Sequence, residues 1–213
     1  MKVSLSILTV DYLKVEESLK DYIDDVDYLH LDVMDGVFVP NISFGPAFVK
    51  SLRKIKDDLI FDTHLMIENP DQYIKQFSEA GSQYITFHLE AKSDVMKTIE
   101  LIKSYGVKAG ISIKPNTSVK DIEKYLPYLD MVLVMSVEPG FGGQKFMDSA
   151  VDKVRELKEL REKNNYNYLI NIDGGINDNT GLKIKDYVDM AVSGSYVVNN
   201  ANPKEAINKL HNL

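Results

Sequence analysis

The chain has 213 residues, with 44% hydrophobic and 27% charged residues, so we expect one soluble globular domain over 1–213. It contains no cysteine, which excludes disulfides and thiolate chemistry, and its formal net charge of −7 argues against general binding to nucleic acid or anionic membranes. No apolar run reaches the roughly 18 residues of a membrane span, and the N-terminus lacks a signal-peptide core, so we expect a cytoplasmic protein.

Short apolar runs alternate along the chain with longer amphipathic segments. The runs are apolar or β-branched nearly throughout, which is typical of parallel strands covered on both faces. In chain order the pattern predicts strand 3–8, helix 12–24, strand 27–33, helix 46–57, strand 59–66, helix 70–81, strand 84–89, helix 93–106, strand 107–113, helix 118–126, strand 131–137, helix 148–164, strand 168–173, helix 178–186, strand 188–194 and helix 203–212.

Two of these helices carry clear end signals. Pro70 opens the helix after the third strand and Gly81 closes it, the usual asymmetry of helix ends. The helix after the fourth strand is expected to begin on Ser93 as its N-cap and to end at Gly106.

Eight strands, each followed by a helix, imply parallel pairing through crossover helices. Eight such units in about 200–250 residues fit a closed (β/α)₈ barrel. A doubly wound open sheet is the alternative, but its dinucleotide-binding form carries glycines after the first strand, where this chain has SILTVD. We therefore predict an α/β fold, a single-domain TIM barrel.

In such a barrel, functional residues gather at the C-terminal ends of the strands. His30 and Asp32 lie two residues apart on the second strand, so both side chains point to one face. His64 ends the third strand and Asp173 the seventh. Two imidazoles and two carboxylates at one pole suit a divalent transition metal, although any one histidine in an apolar run is more often a core residue. The spacing leaves both interpretations open.

Two other polar positions have plainer interpretations. His88, in TFHLEA, is expected to be a core or supporting residue and not a ligand. Asp35, which precedes Gly36, is expected to form a turn.

Glycines follow three neighbouring strands. They occur in EPGFGGQKF (138–146), DGG (173–175) and SGS (193–195). Glycines let backbone N–H groups approach an anion closely, and phosphate sites in these barrels often use the loops after strands seven and eight. Each loop alone would be an ordinary turn, whereas the three together favour a phosphate site.

The chain closely resembles the ribulose-phosphate 3-epimerase family, nearly end to end from SLSIL to AVSGS. The most specific segments are HLDVMDGVFVPNISFGP, HLMIENP, TFHLEA, VMSVEPGFGGQKF and NIDGGI. The resemblance implies a TIM barrel of the ribulose-phosphate binding type that reversibly converts D-ribulose 5-phosphate into D-xylulose 5-phosphate in the pentose phosphate pathway. It also implies one divalent metal ion per subunit (Zn, Fe(II), Co or Mn) and a homo-oligomer. Many members have histidine where this chain has Val37, a position that is not a ligand.

The resemblance also assigns roles to individual residues. It implies metal ligands at His30, Asp32, His64 and Asp173, with Asp32 and Asp173 as the catalytic acid–base pair. It implies substrate and phosphate contacts at Ser6, His64, Gly140, Phe141, Gly142, Gly143, Asp173, Gly174, Gly175, Gly194 and Ser195. It implies a pocket lined by Met34, Met66 and Met135, for which ordinary core packing is the alternative.

The chemistry expected from this resemblance is inversion at C3 by two-aspartate proton transfer through a metal-stabilised cis-enediolate. The nearest alternative is a D-allulose-6-phosphate 3-epimerase, which shares the metal and the paired acids but acts on a sugar one carbon longer. More distant alternatives are a phosphate-binding barrel decarboxylase or aldolase and a non-catalytic sugar-phosphate binding protein.

Overall fold

The computed structural model describes all 213 residues. Its eight strands are β1 (Lys2–Ser6), β2 (Tyr28–Met34), β3 (Ile60–Met66), β4 (Tyr84–His88), β5 (Lys108–Ile113), β6 (Met131–Met135), β7 (Leu169–Asp173) and β8 (Met190–Ser193). All neighbouring strands are parallel, and β8 pairs with β1 to close the barrel. The predicted single-domain (β/α)₈ TIM barrel is confirmed, and the open-sheet alternative is excluded because no sheet edge remains.

Eight α-helices surround the strands: α1 (Val15–Leu19), α2 (Pro46–Leu52), α3 (Ile74–Glu79), α4 (Val95–Ser104), α5 (Ser149–Asn164), α6 (Asp178–Ile184), α7 (Ser195–Val198) and α8 (Pro203–His211). Short 3₁₀ segments occur at Tyr12–Lys14, Ile23–Asp25, Pro70–Gln72, Val119–Asp121 and Glu123–Tyr128. The four-residue helix α7 was not predicted, since it is shorter than any periodic pattern. None of the helices is both long and apolar enough to cross a membrane.

The prediction of an α-helix over 118–126 is wrong. The segment forms two 3₁₀ helices, the first of which begins at a capping box between Ser118 and Asp121. Pro127 lies inside the second and has no N–H to donate, and a proline also disfavours the α conformation at the residue before it. These constraints disfavour a regular α-helix at the C-terminal end of the connection between β5 and β6.

The ends of two other helices differ from expectation in detail. The predicted helix 70–81 is divided, because a 3₁₀ turn precedes α3. The N-cap of α4 is Asp94 and not Ser93: the Asp94 carboxylate accepts a hydrogen bond of 3.2 Å from the backbone N–H of Lys97. Gly106 does follow the helix, with the positive φ of 73° expected of a residue just beyond a helix end.

The main hydrophobic core lies between the outer faces of the strands and the helices, and is built largely from valine, isoleucine, leucine and phenylalanine. A second, small apolar cluster of Tyr28, Tyr84, Met131 and Met190 fills the N-terminal end of the barrel interior. Because alternate residues of a strand face opposite sides, most strands contribute polar residues to the interior above this floor, whereas β6 (MVLVM) is apolar throughout. The barrel interior is therefore packed throughout, apolar at its N-terminal end and more polar toward its C-terminal mouth.

The strand register decides which polar residues meet. On β2 and β3, His30 is paired with Asp62 and Asp32 with His64. On the far side, Asp173 closes β7, opposite Met135 of β6. The register therefore places His30, Asp32 and His64 side by side on adjacent strands, with a carboxylate facing them across the mouth.

Candidate active site

A cavity of about 610 Å³ opens at the C-terminal ends of the strands. Nearly all of the predicted site residues line it: Ser6, Asp32, Met34, Met66, Met135, Gly140, Phe141, Gly142, Gly143, Asp173, Gly174, Gly175, Gly194 and Ser195. His30 and His64 do not reach its surface, and both are fully buried directly beneath it. The predicted residues therefore form one continuous site, with the imidazoles below the carboxylates.

Four side chains converge at the base of this cavity. One oxygen of Asp32 lies 3.3 Å from His30 Nε2 and 3.2 Å from His64 Nδ1, and Asp173 Oδ2 lies 3.9 Å from His30 Nε2. A ligand atom from each of these four residues lies within 4.8 Å of the other three. His30 Nε2 is buried and has no hydrogen-bond partner, which is costly for an imidazole nitrogen unless a ligand satisfies it. The donor set, two imidazoles and two carboxylates, fits a divalent transition metal.

Hydrogen bonds from neighbouring strands orient these candidate ligands. His30 Nδ1 lies 2.7 Å from Asp62 Oδ2, and His64 Nε2 lies 2.9 Å from His88 Nε2. The hydroxyl of Ser6 donates to the second oxygen of Asp32 at 2.7 Å. Carboxylate or imidazole partners of this kind fix the rotation and tautomer of a ligating histidine.

Asp62 was missed at the level of sequence. It is fully buried and accepts hydrogen bonds from His30, Asn171 and Ser4. The sequence does carry a signal for Asp62, which lies two residues before His64 on the same strand. The spacing that places His30 and Asp32 on one face also places Asp62 and His64 on one face. The prediction that His88 is a supporting residue agrees with its contact to His64.

The charged groups of the cluster shift one another's proton affinity. Burial acts to raise the pKa of Asp32, but His30 and His64 hold that pKa below its usual range. Burial, followed by repulsion from Asp32, raises the pKa of Asp173 to about 7. At His30, burial favours the neutral ring, yet Asp32 and Asp62 raise its pKa well above its ordinary value. Two facing carboxylates with such different proton affinities are typical of an acid–base pair.

The other end of the cavity is lined by the glycine loops after β7 and β8. Gly174 and Gly175 both have positive φ, 120° and 62°, which a glycine adopts at little cost. A Cβ on Gly175 would lie 2.6 Å from the backbone nitrogen of Phe146, so no larger residue fits there. Ser136 donates to the carbonyl oxygens of Asp173 and Gly174, which holds the turn in place.

Two further loops border the cavity. The loop 138–146 is held by the Gln144 amide, which donates to the carbonyl oxygens of Glu138 and Phe141. Asn41 donates to the carbonyl oxygen of Gly140 at 2.8 Å and so joins this loop to the one after β2. Lining residues that were not predicted include Leu8, Thr9, Gln144, Lys145, Asn177, Thr180, Lys183, Tyr196 and Asn199.

Methionines form an apolar wall beside the carboxylates. Met34 and Met66 are register neighbours at the ends of β2 and β3, and they pack with Val39. Met135 packs on the opposite side of the mouth, in a cluster with Val137. All three methionines are buried and line the cavity, so they serve both as local packing and as its wall.

Asp35 lies outside the cluster, in the turn predicted for it. Its Oδ1 accepts hydrogen bonds from the backbone N–H groups of Val37 and Phe38, and its Oδ2 accepts one from Glu68. Gly36 beside it has a φ of 77°. The carboxylate is therefore occupied in shaping the loop after β2.

Comparison with known proteins points to one family. A family model described as "Ribulose-phosphate 3 epimerase family" matches residues 2–198. The ribulose-phosphate 3-epimerase of Bacillus subtilis (strain 168) is 44% identical over 213 residues, covering 99% of this chain and 98% of that protein. The protein of the same name from Aquifex aeolicus (strain VF5) is 43% identical, covering 98% of this chain and 94% of that protein.

Solved structures show the same fold at lower identity. The crystal structure of 3-hexulose-6-phosphate synthase from Salmonella typhimurium superposes with a TM-score of 0.76 at 19% identity, covering 100% of this chain and 97% of that one. KGPDC from Streptococcus mutans superposes with a TM-score of 0.72 at 14% identity, covering 99% of this chain and 95% of that one. At these identities the similarity concerns the barrel alone.

Proposed function

The chain belongs to the ribulose-phosphate 3-epimerase family, and from that premise we propose that it reversibly epimerises C3 of D-ribulose 5-phosphate to give D-xylulose 5-phosphate. This reaction would place it in the pentose phosphate pathway. The observation that carries the proposal is the convergence of two carboxylates, from the separate strands β2 and β7, on a cavity whose far end is lined by glycine loops.

Inversion at carbon requires proton transfer on both faces of a planar intermediate. Asp32 on β2 and Asp173 on β7 come from strands that are not neighbours, and each has an oxygen near His30 Nε2, at 3.3 Å and 3.9 Å. In the proposed mechanism one aspartate removes the C3 proton and the other delivers a proton to the opposite face. A single residue on one loop would not reach both faces.

His30, Asp32, His64 and Asp173 would hold a divalent ion, which when bound supplies Lewis-acid stabilisation of the negative charge that develops on the substrate. Ser6 would fix the rotation of the Asp32 carboxylate through its 2.7 Å hydrogen bond. The methionine wall of Met34, Met66 and Met135 would limit the access of water to the enediolate.

At the far end, backbone N–H groups of Gly174, Gly175, Gly194 and Ser195 are proposed to bind the phosphate. Their loops follow β7 and β8, where phosphate sites in these barrels are often found. The distance between the anchored phosphate and the carboxylates would then decide which carbon of the sugar lies between the two acids.

The proposal is tested by measuring epimerisation of D-ribulose 5-phosphate by the purified protein before and after chelator treatment. We expect activity to be lost with the metal and to return on adding a divalent ion, whereas full activity in a verified metal-free sample would contradict the metal-assisted mechanism. Elemental analysis of protein purified without added metal would identify the ion among Zn, Fe(II), Co and Mn.

The length of the sugar is tested by side-by-side kinetics on D-ribulose 5-phosphate and D-allulose 6-phosphate. We expect the larger kcat/KM on the pentulose. A larger value on the hexulose phosphate would instead assign the protein as a D-allulose-6-phosphate 3-epimerase. Product formed from D-ribulose 5-phosphate in deuterated water should carry deuterium at C3, because the proton passes through a carboxylate that exchanges with solvent.

A further inference from the structure

A continuous line of close polar contacts runs from the metal-ligand cluster to the loop after β4. His64 Nδ1 lies 3.2 Å from Asp32, and His64 Nε2 lies 2.9 Å from His88 Nε2. His88 Nδ1 in turn lies 3.2 Å from Glu90 Oε2. Both imidazoles are fully buried. All four ring nitrogens therefore face a protein partner. Which nitrogen of one ring carries the proton consequently decides which nitrogen of the other ring does.

The order follows from the carboxylate at the outer end. Burial opposes ionisation of Glu90, but hydrogen bonds from His88 and Thr117 lower its pKa to about 2, so it only accepts. A neutral His88 must then carry its proton on Nδ1 and present a lone pair at Nε2. Two ring nitrogens 2.9 Å apart share one proton, so that proton belongs to His64 Nε2.

His64 consequently presents the lone pair of Nδ1 toward Asp32. A lone pair 3.2 Å from a carboxylate oxygen is repelled by it unless a cation binds both atoms. We propose that His88 and Glu90 are positioning residues that hold His64 in the Nε2–H tautomer and so make Nδ1 its metal-binding atom. The proposal rests on the metal-dependent function proposed above and extends it by two residues outside the ligand set.

The loop after β5 fixes the rotation of the Glu90 carboxylate. Glu90 Oε1 accepts hydrogen bonds from the backbone N–H of Lys114, at 2.9 Å, and from the hydroxyl of Thr117. The loop is itself held from α5, because Lys153 Nζ donates to three of its carbonyl oxygens at 2.6–2.9 Å. Oε1 is thus committed to the loop, which leaves Oε2 as the only oxygen for His88.

Because Oε1 is held by the loop, Glu90→Gln tests whether the carboxylate sets the tautomer of His88 and His64. The two loop donors require an acceptor, so the amide oxygen should replace Oε1 and the NH₂ group should face His88 Nδ1. His88 would then have to donate from Nε2, which would force the proton of His64 onto Nδ1. A proton on the metal-binding nitrogen must be displaced before a metal can bind. We expect the Kd for Zn²⁺ of the metal-free protein to rise about 10–100-fold, the usual effect of losing such a partner.

The measurement is a competition titration of metal-free protein with Zn²⁺ against a chromophoric chelator. Glu100→Gln, the same substitution at an exposed position of α4, is the matched control and should bind Zn²⁺ with unchanged affinity. A Glu90→Gln affinity within twofold of that control would overturn the proposal.

A second measurement needs no variant and remains decisive if Glu90→Gln does not fold. The chain has four histidines, so long-range ¹⁵N–¹H spectra of the zinc-loaded protein can be assigned to single rings. We expect protons on His64 Nε2 and His88 Nδ1, and the opposite tautomer at either ring would overturn the proposal. If the zinc-loaded protein shows the expected tautomers but no epimerase activity, the proton order stands and the proposed function fails.

Discussion

Replacing Asp173 by Asn removes one of the two proposed proton-transfer groups while changing the shape of the site very little. The asparagine has the size of aspartate but neither accepts nor delivers a proton at neutral pH. The other acid keeps its environment, since Asp32 retains its 2.7 Å hydrogen bond from Ser6 and its 3.2 Å contact with His64 Nδ1. The variant should therefore lose proton transfer on one face of the substrate and keep it on the other.

The expected magnitude follows from this loss of a single acid–base group. General acid–base catalysis contributes about 10²–10⁴-fold, which corresponds to about 2.7–5.4 kcal/mol at ~1.36 kcal/mol per tenfold change. We expect the turnover of Asp173→Asn to fall at least about a hundredfold. Because Asp173 also belongs to the ligand cluster, turnover is compared at saturating metal, with the bound metal measured by elemental analysis.

The decisive assay separates proton exchange from inversion. With the Asp32 side intact, Asp173→Asn should exchange the C3 proton of one epimer with deuterated water without converting it, and should leave the other epimer unlabelled. Asp32→Asn should show the reverse preference. Asp152→Asn, an exposed position on α5, is the control and should behave as the unmodified protein. Inversion by Asp173→Asn within tenfold of the unmodified rate would refute the two-acid mechanism.

The remaining predictions concern the support of the proposed metal and phosphate sites. Asp62→Asn removes the carboxylate partner of His30 Nδ1, so we expect the Zn²⁺ affinity of metal-free protein to fall about tenfold or more in a titration; unchanged affinity would show that Asp62 serves packing alone. Gly175→Ala forces a Cβ against backbone at positive φ, so we expect a loss of about 1–3 kcal/mol in the free energy of unfolding together with a raised KM. Gly106→Ala has the same unfavourable φ sign but open space around it and should lose stability with KM unchanged, so a raised KM there would contradict this assignment.

The barrel could be predicted because its determinants are local. A parallel strand covered on both faces must be apolar along its length, and a crossover helix must be amphipathic, so alternation of the two patterns is visible in the chain itself. The incorrect helix prediction also concerned a local feature of the chain. The connection over 118–126 has a helical pattern of apolar residues, but it forms two 3₁₀ helices, with Pro127 inside the second.

The candidate ligands could be proposed for a similar reason. Residues two apart on a strand share a face, which placed His30 beside Asp32, and strands of one barrel end at one pole, which brought in His64 and Asp173. The resemblance to a family added the roles of these residues and of the glycine loops. Both kinds of inference identify which side chains point into the mouth.

What the sequence by itself determined is therefore the set of strands, their order and the residues at their ends. The contacts that orient those residues were decided only by the tertiary structure. Asp62 meets His30 through the register of β2 with β3, and His88 meets His64 across β3 and β4, in pairings between strands that no single run of residues encodes. Such partners decide which nitrogen of each imidazole carries the proton, and only the structure shows which nitrogen faces the cluster.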